Sequence, residues 1–181
     1  MRIPYVDLSY KNKSKKELIK VFKKVLDKGQ FVGGDEIDLF EKKIAKLCGT
    51  NYAVALNSGT DALTLALHLL GVRKGDEVIT PPNSFIASTA VIVHLGAKPV
   101  FVDVLSDQNI DPNKIQSAIT KKTKVIMPVH LSGRMSQMDK IMSIAKKNKI
   151  SVVEDAAQSV GSKYKNKMSG SYGDFGCFSA H

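Results

Sequence analysis

Short runs of β-branched and other apolar residues recur along this chain. They alternate with stretches whose apolar positions fall three and four residues apart. The first pattern is that of buried strands and the second that of helices lying on a sheet. It predicts strands at Tyr52–Leu56, Glu77–Thr80, Pro99–Val104, Lys124–Val129, Ile150–Glu154 and Phe175–Ser179, with helices near Thr60–Leu70, Ser84–Leu95, Pro112–Ile119 and Met138–Lys147. Two helices are predicted ahead of them. Ser14-Lys15-Lys16-Glu17 has the form of a capping box, and Leu18, Ile19, Phe22, Val25 and Leu26 then share one helical face as far as Gly29. After the loop Gln30-Phe31-Val32-Gly33-Gly34, Asp35 is placed to cap a second helix carrying Ile37, Phe40, Ile44 and Leu47. Strand–helix alternation implies an α/β fold, a mostly parallel sheet with helices on both faces and right-handed crossovers. No repeat, low-complexity tract or linker marks an internal boundary.

Parallel sheets carry their chemistry at the carboxyl ends of strands. Ile150-Ser151-Val152-Val153-Glu154-Asp155-Ala156-Ala157-Gln158 is the stretch that stands out there. Its strand ends on carboxylates, then two small residues that leave room for a flat ligand, then an amide. The plainer alternative is an acid that ends a strand because the chain is leaving the core. Glu154 and Asp155 are adjacent on extended backbone, so their side chains point to opposite sides and do not form an acid–base pair. A carboxylate facing a pyridine nitrogen would keep it protonated and let the ring act as an electron sink, and Gln158 could donate to an oxygen of the same ring.

Two more strand ends bear on that crevice. Asn57-Ser58-Gly59-Thr60-Asp61-Ala62-Leu63 places small residues at a strand-to-helix turn, where backbone N–H groups and the helix dipole suit a phosphate. It is neither a dinucleotide fingerprint nor a P-loop, and taken alone it reads better as a capped helix after a strand. Pro81-Pro82-Asn83-Ser84-Phe85 brings Phe85 into the first turn of the next helix, with its ring either stacked on a heterocycle or in the core. Of the four histidines, His68, His94, His130 and His181, no pair has metal-ligand spacing. His68 and His94 are expected to be structural, and His130, at a strand end, to position rather than to transfer protons.

Charge changes this picture little. There are 27 Lys+Arg against 17 Asp+Glu, a net charge of +10, and all but three of the basic residues are lysine. Lysines 15, 16, 20, 23, 24, 42, 43 and 46 lie on predicted helix surfaces, without the arginine and aromatic interleaving of a nucleic-acid binder. The excess could help attract an anionic substrate. Cys48 and Cys177 form no CxxC or Cys/His cluster, which argues against a disulfide framework or structural zinc and fits a reducing compartment. No apolar run is long enough to span a bilayer, and Met1-Arg2-Ile3-Pro4 does not open a signal peptide, so a cytoplasmic protein without membrane or nucleic-acid partners is expected.

Taken together, these segments resemble the DegT/DnrJ/EryC1/StrS family of pyridoxal-phosphate-dependent sugar-nucleotide aminotransferases. The likeness is carried by Gly29–Gly34, Asn57–Leu63, Gly75-Asp76-Glu77-Val78-Ile79-Thr80-Pro81, Gly96–Asp103, Glu154–Gln158 and Gly173-Asp174-Phe175-Gly176-Cys177-Phe178-Ser179, in the family's order and spacing. The resemblance implies the large domain of a fold-type I transferase binding pyridoxal 5'-phosphate. Gly59, Thr60 and Ser179 would hold the phosphate, Phe85 and Ala157 would lie on the two ring faces, Asp155 would pair with the pyridine nitrogen, and Gln158 would bond the phenolic oxygen. The family's Schiff-base lysine falls five residues after the serine matching Ser179, three places beyond His181. The resemblance therefore implies that residues 1–181 are an incomplete large domain, without the catalytic lysine or a small C-terminal domain, and inactive alone. The intact enzyme would be a homodimer with shared sites, taking a keto-sugar nucleotide and an amino donor, glutamate for preference.

Two other readings compete. Relatives with histidine in place of the lysine act as sugar dehydratases, and the residue that discriminates them is outside the chain. His181 lies three positions too early to be that histidine. A non-enzymatic basic binding module would account for the charge but would leave the ordered strand-end motifs unexplained.

Overall fold

The computed structural model describes residues 12–180, so the expectations about the first residues and His181 lie outside the described residues. Contacts group the chain into two compact units, Met1–Phe40 and Glu41–His181. The first holds helix α1 (Asn12–Lys28) and the start of α2 (Asp35–Cys48). Ser14 lies inside α1 rather than capping it, because the helix already runs from Asn12. The apolar face of α1 forms as its spacing predicts, but Leu18, Ile19, Phe22 and Leu26 remain exposed. Gly29 accepts the positive φ of 65° that ends α1, its N–H bonding the Val25 and Leu26 carbonyls. Asp35 is the first residue of α2 and not its cap, and Asp35, Glu36 and Asp38 together load that first turn with negative charge.

The second unit is built on a parallel sheet. Its elements are α3 (Gly59–Leu69), β1 (Glu77–Thr80), α4 (Ile86–His94), β2 (Lys98–Phe101), α5 (Pro112–Ala118), β3 (Thr123–Ile126), α6 (Met138–Asn148), β4 (Ser151–Asp155), β5 (Lys163–Tyr164), β6 (Lys167–Met168) and β7 (Phe175–Cys177). Five strands pair in the order β2-β1-β3-β4-β7, all parallel, as the alternation predicts. Period-two alternation then sorts each strand between two cores. Val78, Val125 and Val153 pack with Leu63, Leu67 and Ile92 of α3 and α4. Their neighbours Ile79, Ile126 and Val152 pack with Ile115, Met138 and Ile141 of α5 and α6. Each such fully buried side chain stabilises the fold by about 1.5–3 kcal/mol.

Two departures from the predicted elements have clear causes. Tyr52–Leu56 has the composition of a strand, yet it pairs with no strand among the described residues. Tyr52 and Val54 are 87% and 74% exposed. Apolar alternation makes a strand only where a ladder partner is present. Here the Ala55 N–H bonds instead to Glu41 Oε1, at 2.8 Å. The second departure is the hairpin β5–β6, which the pattern did not predict. Its strands of two residues are too short to show periodicity, and the turn Lys165-Asn166 supplies the positive φ values, 43° and 65°, that a tight hairpin needs.

Both cysteines are buried free thiols, and burial pushes the Cys177 thiol up to about 12. Among the described residues no helix is long and apolar enough to cross a membrane.

Candidate functional site

The carboxyl ends of β4 and β7 and the N-termini of α3 and α4 converge at one edge of the second unit. Ser58 caps α3: its Oγ accepts the Asp61 N–H at 3.1 Å and donates to Asp61 Oδ2 at 3.0 Å. Helix geometry leaves the Gly59 and Thr60 N–H groups without intrahelical acceptors. The chain leaving β7 runs directly against this turn. A Cβ added at Gly59 would stand 3.0 Å from Ser179 Cβ and 3.2 Å from the Phe178 carbonyl oxygen. Glycine is thus needed here for close approach, and it brings the start of α3 against Ser179, which lies far away in sequence.

Asp155 closes β4 opposite Cys177 of β7 and is 5% exposed. It shares a sheet face with Val153, on the side of α3 and α4. Ser88 of α4, itself buried, donates its hydroxyl to Asp155 Oδ2 at 2.6 Å, and the Ala157 N–H reaches Oδ1 at 3.3 Å. Among the described residues no cation lies within ion-pair distance of this carboxylate. Burial raises its pKa above the ordinary value, against the pull of Ser88, Ala157 and the more distant His130.

Glu154, one residue earlier and on the opposite face, is wholly buried and fully bonded. Its Oε1 accepts the Tyr172 and Gly173 N–H groups at 2.6 and 2.9 Å, and Oε2 accepts the Gly170 N–H at 3.0 Å and meets His130 Nε2 at 2.9 Å. Burial pushes Glu154 up, but the bonds from His130, Gly173 and Gly170 outweigh it and leave the pKa lowered. His130 Nδ1 accepts the Ser136 N–H at 3.3 Å, which puts the ring proton on Nε2, facing Glu154. Both ring nitrogens of His130 are thus engaged, by Glu154 and by the Ser136 N–H. His68 and His94 close the last turns of α3 and α4 on the surface.

Gln158 follows Ala156, which is buried, and Ala157, which is half-buried. Its Oε1 accepts the Ser132 N–H at 2.8 Å, from the short turn Leu131–Gly133. Phe85 is not within α4 but immediately before it, as the N-cap, because its ψ of 145° is extended; the residue is 70% exposed. The residues the sequence did not single out are Ser88 and Asn109. Each is a polar residue buried at a position whose partner lies far away in sequence, so neither left a local signal. Among the described residues no cluster of His, Cys, Asp and Glu could hold a metal ion.

The sequence profile of the DegT/DnrJ/EryC1/StrS aminotransferase family matches residues 12–181. This chain belongs to that family. Among similar members, the Aneurinibacillus thermoaerophilus dTDP-3-amino-3,6-dideoxy-alpha-D-galactopyranose transaminase is 44% identical over 98% of this chain and 49% of its own length. The Pseudomonas aeruginosa UDP-2-acetamido-2-deoxy-3-oxo-D-glucuronate aminotransferase is 40% identical over 98% of this chain and 50% of its own length. A Bacillus subtilis crystal structure with bound cofactor PMP superposes with a TM-score of 0.90 at 36% identity, over 97% of this chain and 40% of that one. The chain thus spans about half the length of the DegT/DnrJ/EryC1/StrS relatives it matches.

Proposed function

We propose that this protein is a pyridoxal 5'-phosphate-dependent aminotransferase that converts a keto-sugar nucleotide to an amino-sugar nucleotide, with glutamate as amino donor, as a cytoplasmic homodimer. The observation that carries the reading is Asp155. A carboxylate 5% exposed, held among the described residues by one hydroxyl and one long backbone bond and with no cation there at ion-pair distance, is the environment a pyridinium N–H would complete. The glycine turn supports it, since a Cβ at Gly59 would close the space between the α3 N-terminus and Ser179. The donor set therefore fits the cofactor.

The roles follow from each residue's chemistry. Gly59 and Thr60 offer N–H groups at a helix N-terminus, and Ser179 a hydroxyl, to the phosphate. Asp155 holds the proton on the pyridine nitrogen. The exposed side chain of Phe85 would cover one face of the heterocycle, and the small side chain of Ala157 would let the other face approach the backbone. Gln158, its oxygen already engaged by the Ser132 N–H, turns its Nε2 outward to donate to the phenolic oxygen. When bound, the ring supplies an electron sink for charge developing at the carbon that bears the transferred nitrogen. None of these residues makes the covalent step; they bind and orient.

The test is a titration of the purified protein with pyridoxamine 5'-phosphate, followed by absorbance. Saturable binding that Asp155→Asn weakens is expected. Absence of saturable binding by the wild-type protein would overturn the reading.

A further inference from the structure

Asn109 is 1% exposed and lies in the loop between β2 and α5, outside every segment given a role above. Its amide is spent entirely on one distant turn. Asn109 Oδ1 accepts the Leu131 N–H at 3.2 Å, and Nδ2 donates to the Arg134 carbonyl at 3.1 Å, so a single side chain holds both ends of the turn. The turn closes on itself through the Arg134 N–H and the Leu131 carbonyl, at 3.0 Å. From the other side, Ser162 Oγ donates to the Gly133 carbonyl at 2.7 Å. Held in this way, Ser132 adopts a left-handed conformation, φ 52° and ψ 32°, that a residue with a side chain rarely takes.

That conformation aims the Ser132 N–H at Gln158 Oε1. A backbone N–H can be accepted only by the amide oxygen, so the bond decides which end of the Gln158 amide faces outward. We infer that Asn109 is a positioning residue: through the Leu131–Arg134 turn it fixes the Gln158 amide with Nε2 directed at the cofactor's phenolic oxygen. Without the clamp, Gln158 is free to flip and present an acceptor where the ligand needs a donor. The inference rests on the cofactor reading above.

A double-mutant cycle on pyridoxamine 5'-phosphate binding tests it, with thermal stability read in parallel. Asn109→Ala is expected to weaken binding about five- to tenfold, the size of one hydrogen bond. In a Gln158→Ala background the same substitution is expected to change binding less than twofold, although its stability cost persists. Ser162→Ala, which loosens the turn from its other side, should show the same coupling to Gln158 at smaller amplitude and serves if Asn109→Ala does not fold. Equal losses with and without Gln158, or no loss at all, would overturn the positioning role while leaving the cofactor reading intact. A wild-type protein that does not bind the probe would overturn both.

Discussion

Glu154 and Asp155 are neighbours on one strand, both buried and both acidic, yet the two faces of the sheet treat them oppositely. On the α5–α6 face, Glu154 meets three backbone N–H groups and a histidine that bind its two oxygens, and its pKa falls despite burial. On the α3–α4 face, Asp155 meets one hydroxyl and one long N–H contact, and its pKa rises. Burial is common to both, so the difference lies in how completely each charge is bonded. A saturated carboxylate anchors structure, whereas an undersatisfied one is available to a ligand. Glu154 fastens the segment at Gly170, Tyr172 and Gly173 ahead of β7, and that segment approaches so closely that a Cβ at Gly173 would stand 2.5 Å from the Val152 carbonyl oxygen.

The largest expected effect falls on the saturated side. Glu154→Ala should cost about 3–5 kcal/mol in denaturant unfolding, because it strands several buried donors at once. A loss below about 1 kcal/mol would erase the contrast between the faces. Asp155→Asn should do the reverse. Stability without ligand should hold within about 1 kcal/mol or improve, since a poorly bonded buried charge has been removed. Pyridoxamine phosphate affinity should fall about a hundredfold, the magnitude of a desolvated charge pair. Unchanged affinity measured by titration would reduce Asp155 to a strand-end acid.

Ser88→Ala sharpens the comparison at about 1 kcal/mol, since it takes from Asp155 its shortest bond and should raise the carboxyl pKa further. Ser88→Thr should restore ligand affinity if the hydroxyl matters and its volume does not. The smallest effect is a matter of sign. Glu154, lowered from 4.5, contributes stability that is present above that value and is lost as pH falls through its folded pKa. Asp155, raised from 3.8, favours the fold when protonated, and stability declines as pH climbs from 3.8 through its folded pKa. Unfolding measured between acid and neutral pH should therefore lose its acid-side decline in Glu154→Gln and its opposing slope in Asp155→Asn. Identical profiles for the two variants would contradict the assignment.

Local pattern made much of this legible. Strand β4 shows in the run Ser151-Val152-Val153, and the opposed directions of Glu154 and Asp155 follow from extended backbone alone. The cap of α3 is equally local, because Ser58 bonds Asp61 three residues away. What stayed hidden was whatever depends on a distant partner. Tyr52–Leu56 carries a strand's composition and has no ladder among the described residues, which periodicity cannot register. Ser88 and Asn109 are silent for the same reason: Ser88 lies 67 residues from Asp155, and Asn109 lies 22 from Leu131. The helix before which Phe85 stands begins two residues later than the pattern predicts, because a serine and an aromatic ahead of an apolar run read as a cap and a first turn and give no sign of an extended ψ.

The strand order has a bearing on synthesis. Reading β2-β1-β3-β4-β7 against chain order, each of these described strands after β1 is added to a free edge of the ribbon already made, and among the described residues none has to be threaded between two paired neighbours. A nascent chain can therefore lay down its sheet in the order the ribosome releases it, with few long loops to close before each new contact is rewarded. Among the described strands, β4 and β7, which flank the Asp155 crevice, join the same edge after β1, β2 and β3. The ligand-facing end is thus assembled on a framework already in place, and a ligand present during translation would meet its floor only after the hydrophobic layers beneath it had formed.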